Sequence, residues 1–198
     1  MRGALLALVV IAIVVIGAAA WYVSVANDIV RLDQNVKAAW AQVQTQYQRR
    51  LDLIPNVEAT VKGFAQQERS VLTEVTQARA NAAGSLKLTP EALNDPQAMQ
   101  KFAAAQGQLS GALSRLLVTV ERYPELKSDR TFQALITELE GTENRIATER
   151  RRFNEAIREY NNRVQFIPGS FVASMRGFAP RPFFEAVAGA ETAPKVKF

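Results

Sequence analysis

From Ala4 to Ala26 this chain carries no charged side chain, and that run sets the first condition on what it can fold into. As a helix rising about 1.5 Å per residue it reaches about 34 Å, enough for a hydrocarbon core of about 30 Å. Trp21 and Tyr22 fall near its C-terminal end, where amphipathic rings favour the headgroup level, and Asn27-Asp28 mark the return to water. Arg2, the core Leu5 to Ile16 and the small residues Gly17-Ala18-Ala19-Ala20 also fit a cleavable signal peptide. The apolar run continues through Val23 and Val25, past any cut after Ala20, which favours a retained single-pass anchor over residues 4–26. The flanking charges do not choose a side. Arg2 and the terminal amine lie on one flank, Arg31 and Lys37 on the other.

The rest of the 198 residues make one domain of ordinary size. The chain has no cysteine and no histidine. Disulfides, thiol nucleophiles, Cys/His zinc sites, histidine-ligated haem and histidine general-base triads are therefore impossible within it. Carboxylate, lysine or tyrosine chemistry survives that filter. There are 24 Lys+Arg against 19 Asp+Glu, with both signs alternating along the chain, which reads as a solvated surface rather than a nucleic-acid patch. The densest basic cluster, Arg150-Arg151-Arg152, follows Glu149 and lies near Glu143 and Glu155, which offset its field.

Beyond the anchor the apolar residues keep a helical rhythm. Ile29, Leu32, Val36, Trp40, Val43, Tyr47, Leu51 and Ile54 recur in steps of three and four, predicting a helix over 28–54 that stops at a Pro55-Asn56 turn. A second helix over 56–83 carries Val57, Val61, Phe64, Val71, Leu72, Val75 and Ala78 and ends near Gly84-Ser85. A loop follows, up to Asp95-Pro96, where Asp95 is the N-cap and Pro96 the first helical residue of a helix over 96–122. That helix bears Phe102, Leu109, Leu113, Leu116 and Val120 and ends at Tyr123-Pro124; Ser128 or Asp129 then caps a fourth over 130–165. Such stripes can be buried only against one another, so the expected fold is all-α, an antiparallel four-helix bundle of coiled-coil-like long helices behind an N-terminal transmembrane helix. The aromatic stretch Phe171 to Phe184 reads as a strap packed back on the bundle, or as a docking segment for membrane or partner. The bundle is expected over 28–185 and a disordered tail over 186–198.

Continuing the four-three rhythm lands on charges: Glu143 and Arg150 in the fourth helix, Glu68 in the second. A charge in a bundle seam must be paired. Arg49 and Arg50 at the foot of the first helix are the natural partners, giving an expected network of Arg50 with Glu143 and Arg150 with Glu68. Its simplest role is to specify register and topology. Di-metal bundles use a Glu-x-x-His motif, which a histidine-free chain lacks, so no catalytic residue, metal site or cofactor is expected.

Several blocks of this sequence resemble the LemA family. They are Val36-Lys37-Ala38-Ala39-Trp40, Arg49 through Val57, Thr60 through Ala65, Tyr123-Pro124-Glu125-Leu126-Lys127, Thr142 through Ile146, Arg151-Arg152-Phe153-Asn154, Tyr160-Asn161 and Gly177-Phe178. They cover the domain in order from about residue 28 to 184, and depart mildly where Phe64 and Phe153 replace a frequent tyrosine. The resemblance implies a bacterial membrane protein with one N-terminal anchor and an all-helical antiparallel bundle. It carries no catalytic residues, and implies links to cell-envelope processes and, in one branch, to the magnetosome membrane. The expected function is a structural adaptor in the bacterial cell (inner) membrane that presents the bundle to protein partners, copies of itself included, with membrane lipid met through the anchor. A lipid- or small-molecule-binding module is the alternative.

Overall fold

The computed structural model describes residues 2–64 and 68–185, and among them the fold is an all-α helical bundle with one N-terminal apolar helix long enough to span a membrane. The elements are α1 (Arg2–Phe64), α2 (Arg69–Ser85), a 3-10 turn (Pro90–Asn94), α3 (Pro96–Val120), the short α4 (Pro124–Ser128), α5 (Arg130–Gln165) and α6 (Gly169–Arg176). The expected tail over 186–198 lies outside the described residues.

The boundaries follow local chemistry where a cap is present. Asp95 Oδ1 accepts from Gln97 N at 2.9 Å, with Pro96 behind it at the first helical position, and α3 begins there. Asp129 Oδ1 accepts from Phe132 N at 2.8 Å and starts α5. The segment between Leu86 and Asp95 is more ordered than a plain loop, because Leu93 is buried within the 3-10 turn.

The turn at Pro55-Asn56 is a correction. Helix α1 runs through Pro55 to Phe64, so no turn falls at 55, and the next helix, α2, starts at Arg69. An interior proline costs about 3 kcal/mol or more, because it cannot donate to the carbonyl four residues back and its ring crowds that carbonyl. Two features offset this. The buried stripe Leu51, Ile54, Val57, Val61 keeps its three-and-four spacing straight across the proline. The carbonyl left without its amide partner, that of Leu51, instead accepts from Arg79 Nε at 3.0 Å. Arg79→Leu should therefore cost about 1–3 kcal/mol in a denaturant titration. In a Pro55→Ala background, where residue 55 regains an N–H for Leu51, the same substitution should cost at least about 1 kcal/mol less. Equal costs in the two backgrounds would show that Arg79 does not compensate for the proline.

The chain divides into two compact units, each of which has its own core. One comprises α1 up to Ala38 with Glu155–Arg181; Val25, Ala26, Ile29, Val36, Ile157, Tyr160, Val164, Val172 and Ala173 are buried in it. The other comprises Ala39–Asn154 and the chain from Pro182. Its core holds the α1 residues Leu51 to Val61, Val75, Ala78 and Ala82 of α2, Leu109 to Val120 of α3, and Phe132 and Leu139 of α5. An aromatic cluster extends it: Phe102 lies edge-on to Trp40, Tyr47 and Phe184, with ring centroids 5.1 to 5.9 Å apart, and Trp40 also meets Phe153.

The C-terminal segment is gripped through its backbone in both units. In the second unit, Asn154 Nδ2 donates to Phe184 O at 3.0 Å while Phe184 N donates to Asn154 Oδ1 at 2.8 Å. In the first, Asn161 makes the same pair of bonds to the backbone of Arg181, at 2.9 and 2.8 Å. A primary amide offers a donor and an acceptor side by side, so it satisfies both backbone groups of a single residue at once.

Candidate functional site

The most unusual side chain of the second unit is Arg50, which is only 1% exposed. A guanidinium cannot shed its proton, so the surroundings must supply acceptors. Its Nη1 donates to Glu143 Oε1 at 2.9 Å and to Ser110 Oγ at 3.0 Å, and its Nη2 donates to the side-chain carbonyl of Gln106. Gln106, also buried, passes the connection on: its Nε2 donates to Ala82 O at 3.2 Å and to Ser85 Oγ at 3.1 Å. One polar path thus joins α5, α1, α3 and the end of α2. Glu143 stands at its wet end, with 42% of its side chain exposed.

The other expected members of the network sit elsewhere. Glu68 does not meet Arg150. It accepts from Tyr123 Oη at 3.0 Å and pairs with Arg122 at 3.1 Å. The reason is that no turn falls at 55: with α1 running on to Phe64, Glu68 sits at the start of α2 beside the α3–α4 link, not in a mid-bundle seam. Arg150 instead lays its guanidinium over the Phe184 ring, 4.1 Å from the centroid, and donates to Glu185 O at 3.1 Å. Arg49 pairs with Glu138 at 2.5 Å on the surface, where both side chains are substantially exposed. Gln106 and Ser110 carry no charge that would single them out. Gln106 does sit four residues after the buried Phe102 and three before the buried Leu109, so a polar residue in phase with the α3 stripe marks it.

Beside Arg50 an open groove of about 1100 Å³ runs along α2 and α3. One end holds Tyr47, Arg50, Glu143, Arg150 and Phe184; the α3 wall has the small residues Ala103, Ala104, Gly107 and Gly111; and Glu74 and Arg115 form an ion pair at the rim. Burial pushes the Tyr47 phenol above its ordinary 10.0, with the Arg150 and Arg50 cations pulling the other way. Tyr160 in the first unit is also raised by burial, and Tyr123 by its hydrogen bond to Glu68. Raised in this way, the Tyr47 phenol faces the groove as a neutral hydroxyl at physiological pH. A phenol raised in the folded state stabilises the fold fully below its unfolded value and loses that contribution as pH rises through the folded one. The denaturation midpoint should therefore hold up to about pH 9 and fall above about pH 10, less steeply in Tyr47→Phe. An identical alkaline profile for that variant would exclude Tyr47 as a source of the fall.

With this geometry in place, comparison with known proteins gives a family and a set of relatives. The model of the LemA family matches residues 39–198. The magnetosome proteins MamQ 1 and MamQ 2 of Paramagnetospirillum magneticum are each 26% identical to this chain over 181 residues, covering 84% of it. MamQ of Magnetospirillum gryphiswaldense is 25% identical over the same length. The chain spans 66% of the length of each of these relatives.

Proposed function

This chain belongs to the LemA family, and from that premise we propose that it is a membrane-tethered adaptor, held in the bacterial cell membrane by α1 and presenting its helical bundle to protein partners. The observation that carries the reading is the continuity of α1. One unbroken helix contains both the charge-free segment and, from Leu51 to Val61, core residues of the second unit. Between Ala26 and Leu51 there is no glycine or proline, the residues of which a flexible linker is made. The arginine network supports the same reading, because Arg50 holds four helices in one register.

The groove along α2 and α3 is the surface such an adaptor would use. Its small α3 residues admit the close approach of another helix, and the rim has charges of both signs to set the register of a partner. In-cell crosslinking of the full chain followed by isolation from membranes tests this. Reproducible protein partners, or adducts between copies, are expected. A chain that stays monomeric and partnerless, or one that carries a stoichiometric lipid in the groove, would move the assignment to a lipid-binding module.

A further inference from the structure

The first unit exposes apolar surface in a place that a water-soluble domain would not tolerate. Phe166 and Ile167 at the end of α5, with Phe171 and Met175 on one face of α6, are between 62% and 88% exposed. Phe171 and Met175 are four residues apart and share a face, while Val172 and Ala173 are buried on the other. The helix is thus apolar on both faces, with Ser174 and Arg176 its exposed polar members. Four large side chains on the α5–α6 turn and the adjoining face of α6 form the kind of patch that marks an interaction surface.

Two ion pairs fix the level of this patch. Arg181, held at Asn161 of α5, reaches Asp33 at 2.5 Å, whereas Arg163, further along α5, reaches Asp28 at 3.2 Å. Helix α5 therefore runs toward the charge-free segment of α1. Phe166 and Ile167 lie about 5 Å beyond Arg163, and Ser24 lies about 6 Å beyond Asp28 in the same direction, at about 1.5 Å per residue. The exposed turn thus reaches the level at which protein cover on α1 gives out: Val25 is 2% exposed, and Val23, two residues nearer the N-terminus, is 54% exposed. The turn is held close, since a Cβ on Gly169 would come within 1.9 Å of Arg163 O, and Gly177, at φ 73°, ends α6 in the left-handed region.

We propose that the α5–α6 turn and the exposed face of α6 enter the interfacial layer of the bilayer, a second membrane contact beside the apolar segment of α1. The contact rests on that segment being membrane-inserted. Its occupant is lipid because the patch is continuous in level with the end of the segment, and the exposed Arg176 beside Met175 is placed to meet headgroup phosphates. The contact fixes the rotation of α1 about its own axis, which an anchor of one helix leaves free.

The absence of native cysteine allows a direct test. The full chain, carrying an environment-sensitive dye at a single Val14→Cys, Gln34→Cys, Ile167→Cys or Phe171→Cys, is reconstituted in phosphatidylcholine–phosphatidylglycerol vesicles. It is then exposed to nitroxide lipids or to aqueous iodide. Dyes at 167 and 171 should be quenched by a nitroxide near the top of the acyl chains at least about twofold more than the dye at 34, and be protected from iodide. Position 14 should respond to a deep nitroxide. If 14 responds while 167 and 171 are as open to iodide as 34, the second contact is overturned and the anchor stands. Shielding of 167 and 171 from both quenchers would give the patch to protein and also overturn the contact. If 14 itself escapes the nitroxide, the anchor and the contact fall together.

Discussion

Replacing Asp33 with alanine is expected to lower stability by about 3–5 kcal/mol, the largest effect of any single surface-distant charge in the first unit. Arg181 has only 5% of its side chain exposed, and its Nε and Nη1 have no hydrogen-bond partner. Asp33, at 2.5 Å, is the acid that balances it, with the Tyr160 ring 5.2 Å away as a weak second partner. Asp33→Ala leaves a buried cation that cannot deprotonate. The reverse deletion is milder, because Asp33 retains Lys37 at 2.8 Å; Arg181→Met should cost about 1–2 kcal/mol. Denaturant titration of the two variants in the same micelle checks the asymmetry. Equal losses would mean that Lys37 does not compensate.

Arg50→Ala should cost about 3–4 kcal/mol, combining the lost side-chain packing with an unsatisfied carbonyl on Gln106. Glu143 is half-exposed and returns to water when its partner goes, so it adds little to that figure. Glu143→Ala strands the buried guanidinium on neutral acceptors and should cost about 2–3 kcal/mol. The double variant Arg50→Met/Glu143→Leu should recover to within about 1–2 kcal/mol of the parent, since an apolar pair has no charge to desolvate. The surface pair is the control: Arg49→Met should cost less than about 1 kcal/mol. If Arg50→Met proved as mild as Arg49→Met, the buried network would not be holding the helices.

The helices were legible because a stripe with a period of 3.6 leaves little choice, and Asp95 and Asp129 show their capping chemistry in sequence. The turn expected at Pro55 does not form because the apolar pattern outweighs the local preference of proline. The stripe Leu51, Ile54, Val57, Val61 passes the proline without losing phase, whereas a turn would have reset it. The compensation by Arg79 comes from another helix 28 residues away in sequence and has no local signature. The same limit applies at the site. Arg50 and Glu143 share a seam by counting, but the partner of Glu68 depended on how far α1 runs. Asn154 and Asn161 stood within the family-like blocks, each a poor helix former inside a long helix, and that mismatch was the available sign that their amides serve another segment.

Whether the bundle works as an adaptor is tested most directly by a photo-crosslinking residue placed in the groove at Gln77 or Gln108, with Arg151, exposed and outside the groove, as the reference position. The full chain is irradiated in native membranes. Discrete protein adducts from positions 77 and 108, absent at 151, are the expected result. Adducts to lipid alone, or the same faint pattern at all three positions, would contradict the adaptor function and leave a membrane-bound bundle whose groove serves something other than a protein.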